Sequence, residues 1–246
     1  MDIRNPSAPD GNPEMADAAV PPAPTVIRRV DYQPFAWAVP RLELDFRLGL
    51  TQTRVAATLH VERNPAATPA SEIRLNGEGL VPLEVTVDGA PTNAWRMAGD
   101  DLVIDLPGAG HTIGVVTAID PAANTQLSGL YASGGMLCTQ CEAEGFRRIT
   151  FFPDRPDVLS VYSVRMSGDI DAFPVLLSNG NLTPSGDNGD GTHWAQWDDP
   201  WPKPSYLFAL VAGRLVANRD TFITRSGRKV DLAIYVREAG AGEEDD

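Results

Sequence analysis

Between Tyr32 and Val236 the chain alternates apolar and polar residues in short runs, and this period of two constrains its fold more than any other feature. The runs are "RLELDFRL" (41–48), "RVAATLHVER" (54–63), "LEVTVDG" (83–89), "DLVIDL" (101–106), "HTIGVVTAI" (111–119), "LSVYSVRM" (159–166), "FPVLLSNG" (173–180), "HWAQWDD" (193–199), "YLFALVAG" (206–213) and "DLAIYVR" (231–237). Side chains on a strand point alternately to its two faces, so each run can bury one face and wet the other. Between them lie Asp88-Gly89, Pro107-Gly108, Asn179-Gly180, Asp190-Gly191 and Ser226-Gly227, pairs that supply the positive φ of tight connections. No segment of 11 or more residues keeps a helical period, and no repeat has a fixed spacing. The pattern predicts an all-β, hairpin-rich fold.

An apolar content of 43% in 246 residues is enough for a sizeable core. The net charge of −13 repels phosphate backbones and anionic lipids, and no Lys/Arg cluster interleaved with aromatics offsets it, which argues against nucleic acid as a partner. The first residues lack the charged-then-apolar order of a signal peptide, and the apolar stretch "YLFALVAG" is far below the roughly 18 residues that span a bilayer. The expected setting is the cytoplasm, with no membrane association and with both cysteines as thiols. Residues 1–26, rich in Pro, Ala, Asp and Asn, cannot bury enough surface to offset ordering and are expected to be a flexible arm.

The stretch "LCTQCEAEGFRRITFFPDRPD" (137–157) concentrates the candidate chemistry. Cys138 and Cys141 have the spacing of a metal clip, but a closed zinc site needs four ligands, no second cysteine pair exists, and His60, His111 and His193 are widely scattered. A redox pair would open a helix in a β-α-β setting, and the flanks here are strand-like. Two small residues packed in a turn between strands remain as the plainer reading. Gln140, Glu142 and Glu144 share parity, so on an extended backbone they would line one face, where two carboxylates and an amide oxygen suit a primary ammonium. A solvated strand edge is the alternative. "DNGDG" (187–191) reads as a hairpin turn rather than a calcium loop, and no G-x-S-x-G, P-loop or H-E-x-x-H occurs.

Five stretches together carry a resemblance: "LNGEGLVPLEVTVDG", "PAANTQLSGLYASGGMLCTQCEAEGFRRITFFPDRPDVLSVYSVRM", "LLSNGN", "HWAQWDDPWPKPSYLFALVAG" and "RDTFITRSGRKVDLAIYV". In this order, over Tyr32–Val236, they resemble the N-terminal part of bacterial zinc-dependent aminopeptidases of the aminopeptidase N family. The resemblance implies a saddle-like β-sandwich domain over residues 27–213 and the truncated start of a thermolysin-like catalytic domain over 214–246. It implies that Gln140 and Glu142 reach into the active site and hold the α-amino group of a peptide, in a pocket that is partly dehydrated in the complete enzyme. Glu144 is then a structural residue working through Arg147 or Arg155, and the cysteines are packing. The family's G-A-M-E-N loop, its H-E-x-x-H with a later Glu, and its catalytic Tyr are absent. Zinc is therefore expected in the full-length enzyme and not on this chain, which is expected to be inactive alone. Its expected partners are peptide N-termini and the remaining catalytic and C-terminal domains. A rival from another class is a free-standing β-domain that binds amine-bearing peptides without catalysis.

Overall fold

A computed structural model describes residues 28–238. The arm expected over 1–26 lies outside the described residues. Residues 28–33 belong to a small unit of their own and contain one 3-10 turn, Arg29–Asp31.

From Pro34 onward, the first half of the second unit contains β1 (Trp37–Arg47), β2 (Thr53–Arg63), β3 (Glu72–Leu75), β4 (Glu84–Val87), β5 (Ala90–Pro91), β6 (Trp95–Ala98), β7 (Asp101–Asp105) and β8 (Gly110–Ile119). The second half contains β9 (Gly129–Ser133), β10 (Met136–Gln140), β11 (Ser160–Asp169), β12 (Val175–Ser178), β13 (Asn181–Asp187), β14 (Thr192–Lys203), β15 (Leu210–Gly213), β16 (Leu215–Ile223) and β17 (Lys229–Arg237). Two 3-10 turns, Phe146–Arg148 and Ser205–Leu207, interrupt the strands, and no α-helix occurs among the described residues. The all-β reading holds.

The strands form an eight-stranded sheet in the order β13-β14-β11-β1-β2-β8-β4-β5, a four-stranded sheet β12-β15-β10-β9, a three-stranded sheet β3-β7-β6, and the hairpin β16-β17. Within the large sheet only β1 and β11 run parallel; its other pairs are antiparallel. The period of two explains the burial. In β2, Thr53, Val55, Ala57, Leu59 and Val61 are buried, and Arg54, Ala56, Thr58 and His60 between them are not. In β1 the buried parity switches from Trp37 and Val39 to Leu42, Leu44 and Phe46, because a bulge between Ala38 and Arg41 inserts a residue. Pro40, which has no N–H to give the ladder, sits in that bulge.

The inner face of the large sheet meets the two smaller sheets in one apolar core. Leu42, Val55, Leu59 and Val115 come from the large sheet, Ile73, Leu102 and Ile104 from the three-stranded one, and Leu137 and Leu210 from the four-stranded one. Asp88 (φ 53°) and Gly89 (φ 78°) close the β4-β5 hairpin with both central residues in the left-handed region, as the Asp-Gly pair implies. The run "YLFALVAG" is not one strand: Ser205–Leu207 turns first, and pairing starts at Leu210. In β16-β17, Val216, Phe222, Leu232, Ile234 and Val236 share one face and are largely exposed.

Candidate substrate-anchor site

Strand β10 is held between β9, where Gln140 pairs with Gly129, and β15, where Leu137 pairs with Ala212. Pairing stops at Gln140. The chain then folds back sharply: the Gly145 N–H donates to the Cys141 carbonyl at 2.8 Å, and the 3-10 turn Phe146–Arg148 follows. A Cβ on Gly145 would meet the Gln140 carbonyl oxygen at 2.5 Å, so the turn closes too tightly for any larger residue. The Glu142–Ala143 peptide is cis. Phe146, fully buried, pins the turn to the core edge-on to Phe152 and Phe208, with ring centroids 5.3 and 5.2 Å away.

This geometry corrects the parity argument. Gln140, Glu142 and Glu144 do not lie on one face of an extended strand, because the backbone leaves the sheet after Gln140 and presents both carboxylates from a turn. Glu142 and Glu144 still meet on a hollow of about 520 Å³, which Ala143, Pro156 and Tyr206 complete. Gln140 stands beside it, and its Nε2 donates to the Glu142 carbonyl oxygen at 3.3 Å, while the acceptor end of the amide has no hydrogen-bond partner among the described residues. Gln140, Glu142 and Glu144 are all exposed, so the partly dehydrated pocket expected of the full-length enzyme is not formed by the described residues of this chain.

The two glutamates differ in company. Arg147 Nη2 lies 3.3 Å from Glu144, the pairing expected of a structural residue. Arg155 instead holds Asp157 through two bonds of 2.8 Å. Glu142 has no ion-pair partner among the described residues.

Behind the turn lies a carboxylate that sequence reasoning passed over. Asp154 is 3% exposed. Its Oδ2 accepts from the Arg147 backbone N–H and from Arg147 Nε, both at 3.1 Å, and its Oδ1 accepts from the Ser205 hydroxyl at 2.5 Å. The only hint in the sequence is a charged residue directly after the apolar "ITFFP". Cys141 is buried, and burial first, with the Asp154 charge second, pushes its thiol well above the usual range. Cys138 sits in β10, half-buried, where its hydrogen bond to Tyr131 is the first cause of that phenol's raised pKa. Neither cysteine opens a helix, so the geometry that would activate a redox thiol is missing here.

The histidines are apart and engaged: His60 with Glu43, His111 with Asp88 and the Pro107 carbonyl, His193 with the Phe173 carbonyl. Among the described residues no three His, Cys, Asp or Glu side chains come together to hold a metal ion, so these residues do not fit a zinc site.

Residues 39–207 match the peptidase M1 N-terminal domain. The chain belongs to the peptidase M1 family. It is 49% identical over 215 residues to aminopeptidase N of Caulobacter vibrioides, covering 87% of this chain and 25% of that protein. With aminopeptidase N of Escherichia coli it shares 46% identity over 208 residues, 85% of this chain and 24% of that one. Its fold matches aminopeptidase A of Legionella pneumophila, solved with aspartic acid, with a TM-score of 0.80 and 31% identity over 88% of this chain and 26% of that one. The M1 chain thus spans about a quarter of the length of these relatives. The M1 zinc metallopeptidase of Deinococcus radiodurans, 18% identical over 85% of this chain and 50% of that one, shares the fold at a TM-score of 0.71. No helix among the described residues is long and apolar enough to cross a membrane.

Proposed function

We propose that this chain is the amino-terminal part of a cytoplasmic zinc aminopeptidase that removes residues one at a time from peptide N-termini, and that its contribution is to hold the substrate's α-amino group. The observation that carries the reading is a carboxylate with no ion-pair partner among the described residues, Glu142 at a hollow, beside the Gln140 amide that bonds the Glu142 backbone. An ammonium offers three donors and one charge, which these two groups match. Glu144, already paired with Arg147, is left as a structural residue. Support also comes from the Legionella relative, whose bound aspartic acid carries a free amino group.

Cleavage belongs to the rest of the enzyme, since the residues here do not fit zinc and no step of the reaction is assigned to them. On this reading residues 27–213 are the anchor domain and 214–246 begin the next one, whose later parts cover the hollow and dehydrate Glu142. The chain alone binds no zinc and hydrolyses no aminoacyl substrate.

The test is Glu142→Gln in the full-length enzyme. A charge-assisted hydrogen bond contributes about 1.5–3 kcal/mol, so kcat/KM should fall about 10- to 100-fold with zinc content unchanged. Acetylating the substrate's amino group should erase most of the difference between variant and wild type. An equal loss on acetylated and free-amine substrates would remove Glu142 from the anchor.

A further inference from the structure

We infer that Asp154 is the positioning residue of the amine anchor: it sets the shape of the hollow and holds the Arg147 charge away from Glu142. This rests on the reading of Glu142 as the anchor. Each segment that lines the hollow adjoins a group bonded to Asp154. Arg147 follows the Glu142–Glu144 turn and gives Asp154 both its backbone N–H and its Nε. Ser205, which gives Oδ1 its hydroxyl, immediately precedes Tyr206. Pro156 lies just beyond Asp154 in the chain, and the Asp154 carbonyl accepts from Arg147 Nη2 at 2.9 Å.

Asp154 is itself fixed to the body of the fold. Its backbone N–H donates to Asn76 Oδ1 at 3.1 Å, Asn76 bridges Phe152 through two backbone bonds, and Asn76 Nδ2 donates to Asp101 at 3.2 Å. The carboxylate therefore transmits the position of the three-stranded sheet to both walls of the hollow.

The Arg147 guanidinium is shared between buried Asp154 and exposed Glu144. With the Asp154 charge removed, Arg147 is free to turn toward the two carboxylates of the hollow, and an arginine paired with Glu142 excludes a substrate ammonium. A purely structural residue would weaken every ligand alike; a positioning residue weakens only what depends on the amine.

That difference defines the experiment. In the full-length enzyme, inhibition constants are measured for leucinamide and for 4-methylpentanamide, the same molecule without its amine, and their ratio isolates the amine's contribution. Glu142→Gln should collapse the ratio toward 1. Asp154→Asn should lower it at least fivefold while the constant for 4-methylpentanamide stays unchanged. If Glu142→Gln collapses the ratio and Asp154→Asn preserves it, the role of Asp154 is overturned and the anchor stands. If Asp154→Asn weakens both inhibitors equally, Asp154 is structural only, which also overturns the proposal. A ratio that survives Glu142→Gln overturns the anchor reading itself. Should Asp154→Asn fail to fold, Ser205→Ala decides: it removes one of the bonds, and a ratio lowered at least twofold supports the role whereas an unchanged ratio overturns it.

Discussion

Replacing Phe146 by alanine tests whether the anchor turn is held by the core beneath it. The ring is fully buried and meets Phe152 and Phe208 edge-on, with Tyr162 at 6.3 Å. Core Phe→Ala changes cost about 3–5 kcal/mol, the larger values arising where the surroundings cannot collapse into the cavity. Three rigid rings anchored on separate segments cannot follow a missing one, so the cost should fall in the upper half of that range. With a urea slope of about 2–3 kcal/mol per molar for a domain of this size, the midpoint should drop by about 1.3–2.5 M at unchanged slope. Phe146→Leu, which refills most of the volume, should lose about 1–2 kcal/mol. The assay is equilibrium urea unfolding followed by tryptophan fluorescence and far-ultraviolet circular dichroism. A loss below about 1.5 kcal/mol for Phe146→Ala, with the slope unchanged, would mean that the turn is not pinned from below.

Asp198 is held below the usual carboxylate range first by the Ser163 hydroxyl, 2.6 Å away, so its contribution to stability is present above about pH 3.9 and is lost as pH falls through the lower folded value. Asp198→Asn should therefore be less stable than wild type at pH 7, with the gap closing below pH 4; a gap that persists in acid would refute the linkage. In native protein at pH 8, iodoacetamide should label Cys138 while buried Cys141, its thiol pushed up, reacts at least about tenfold more slowly, and the reverse order would contradict the burial. Hydrogen exchange should be faster in β16-β17, whose strands pair only with each other and expose Ile234 and Phe222, than in β15 between its two neighbours. Protection of Phe222–Val236 equal to that of Leu210–Gly213 would show that something else covers the hairpin.

The site was legible only in part. Gln140, Glu142 and Glu144 could be picked out by residue type and spacing, but their common face was inferred from a parity that requires an extended backbone. The chain leaves the sheet at Gln140, and Gly145 and Phe146 decide that turn through a close backbone approach and a core contact, both of them long-range or steric facts. Pro156 and Tyr206 carried no local signal, and Asp154 only its place directly after the apolar "ITFFP". Asp154 draws its partners from Asn76, Arg147 and Ser205, segments as much as 78 residues away.

Strand formation was decided locally. In β2 and β11 the alternation of side-chain polarity alone dictates which face is buried, because a strand's period admits no other solution once a core exists. Asp88-Gly89 likewise specified its turn, since the positive φ it needs is a property of those residues. Short strands such as β3, β6, β9 and β10 span only four or five residues, too few for a period to register, and exist because neighbours supply their hydrogen bonds. The same holds for the anchor. Residue chemistry determined that Glu142 and Gln140 can accept an ammonium, whereas tertiary structure decided that Arg147 serves Glu144 and Asp154 and that Glu142 has no ion-pair partner among the described residues, because a charge pairs with what folding brings near it.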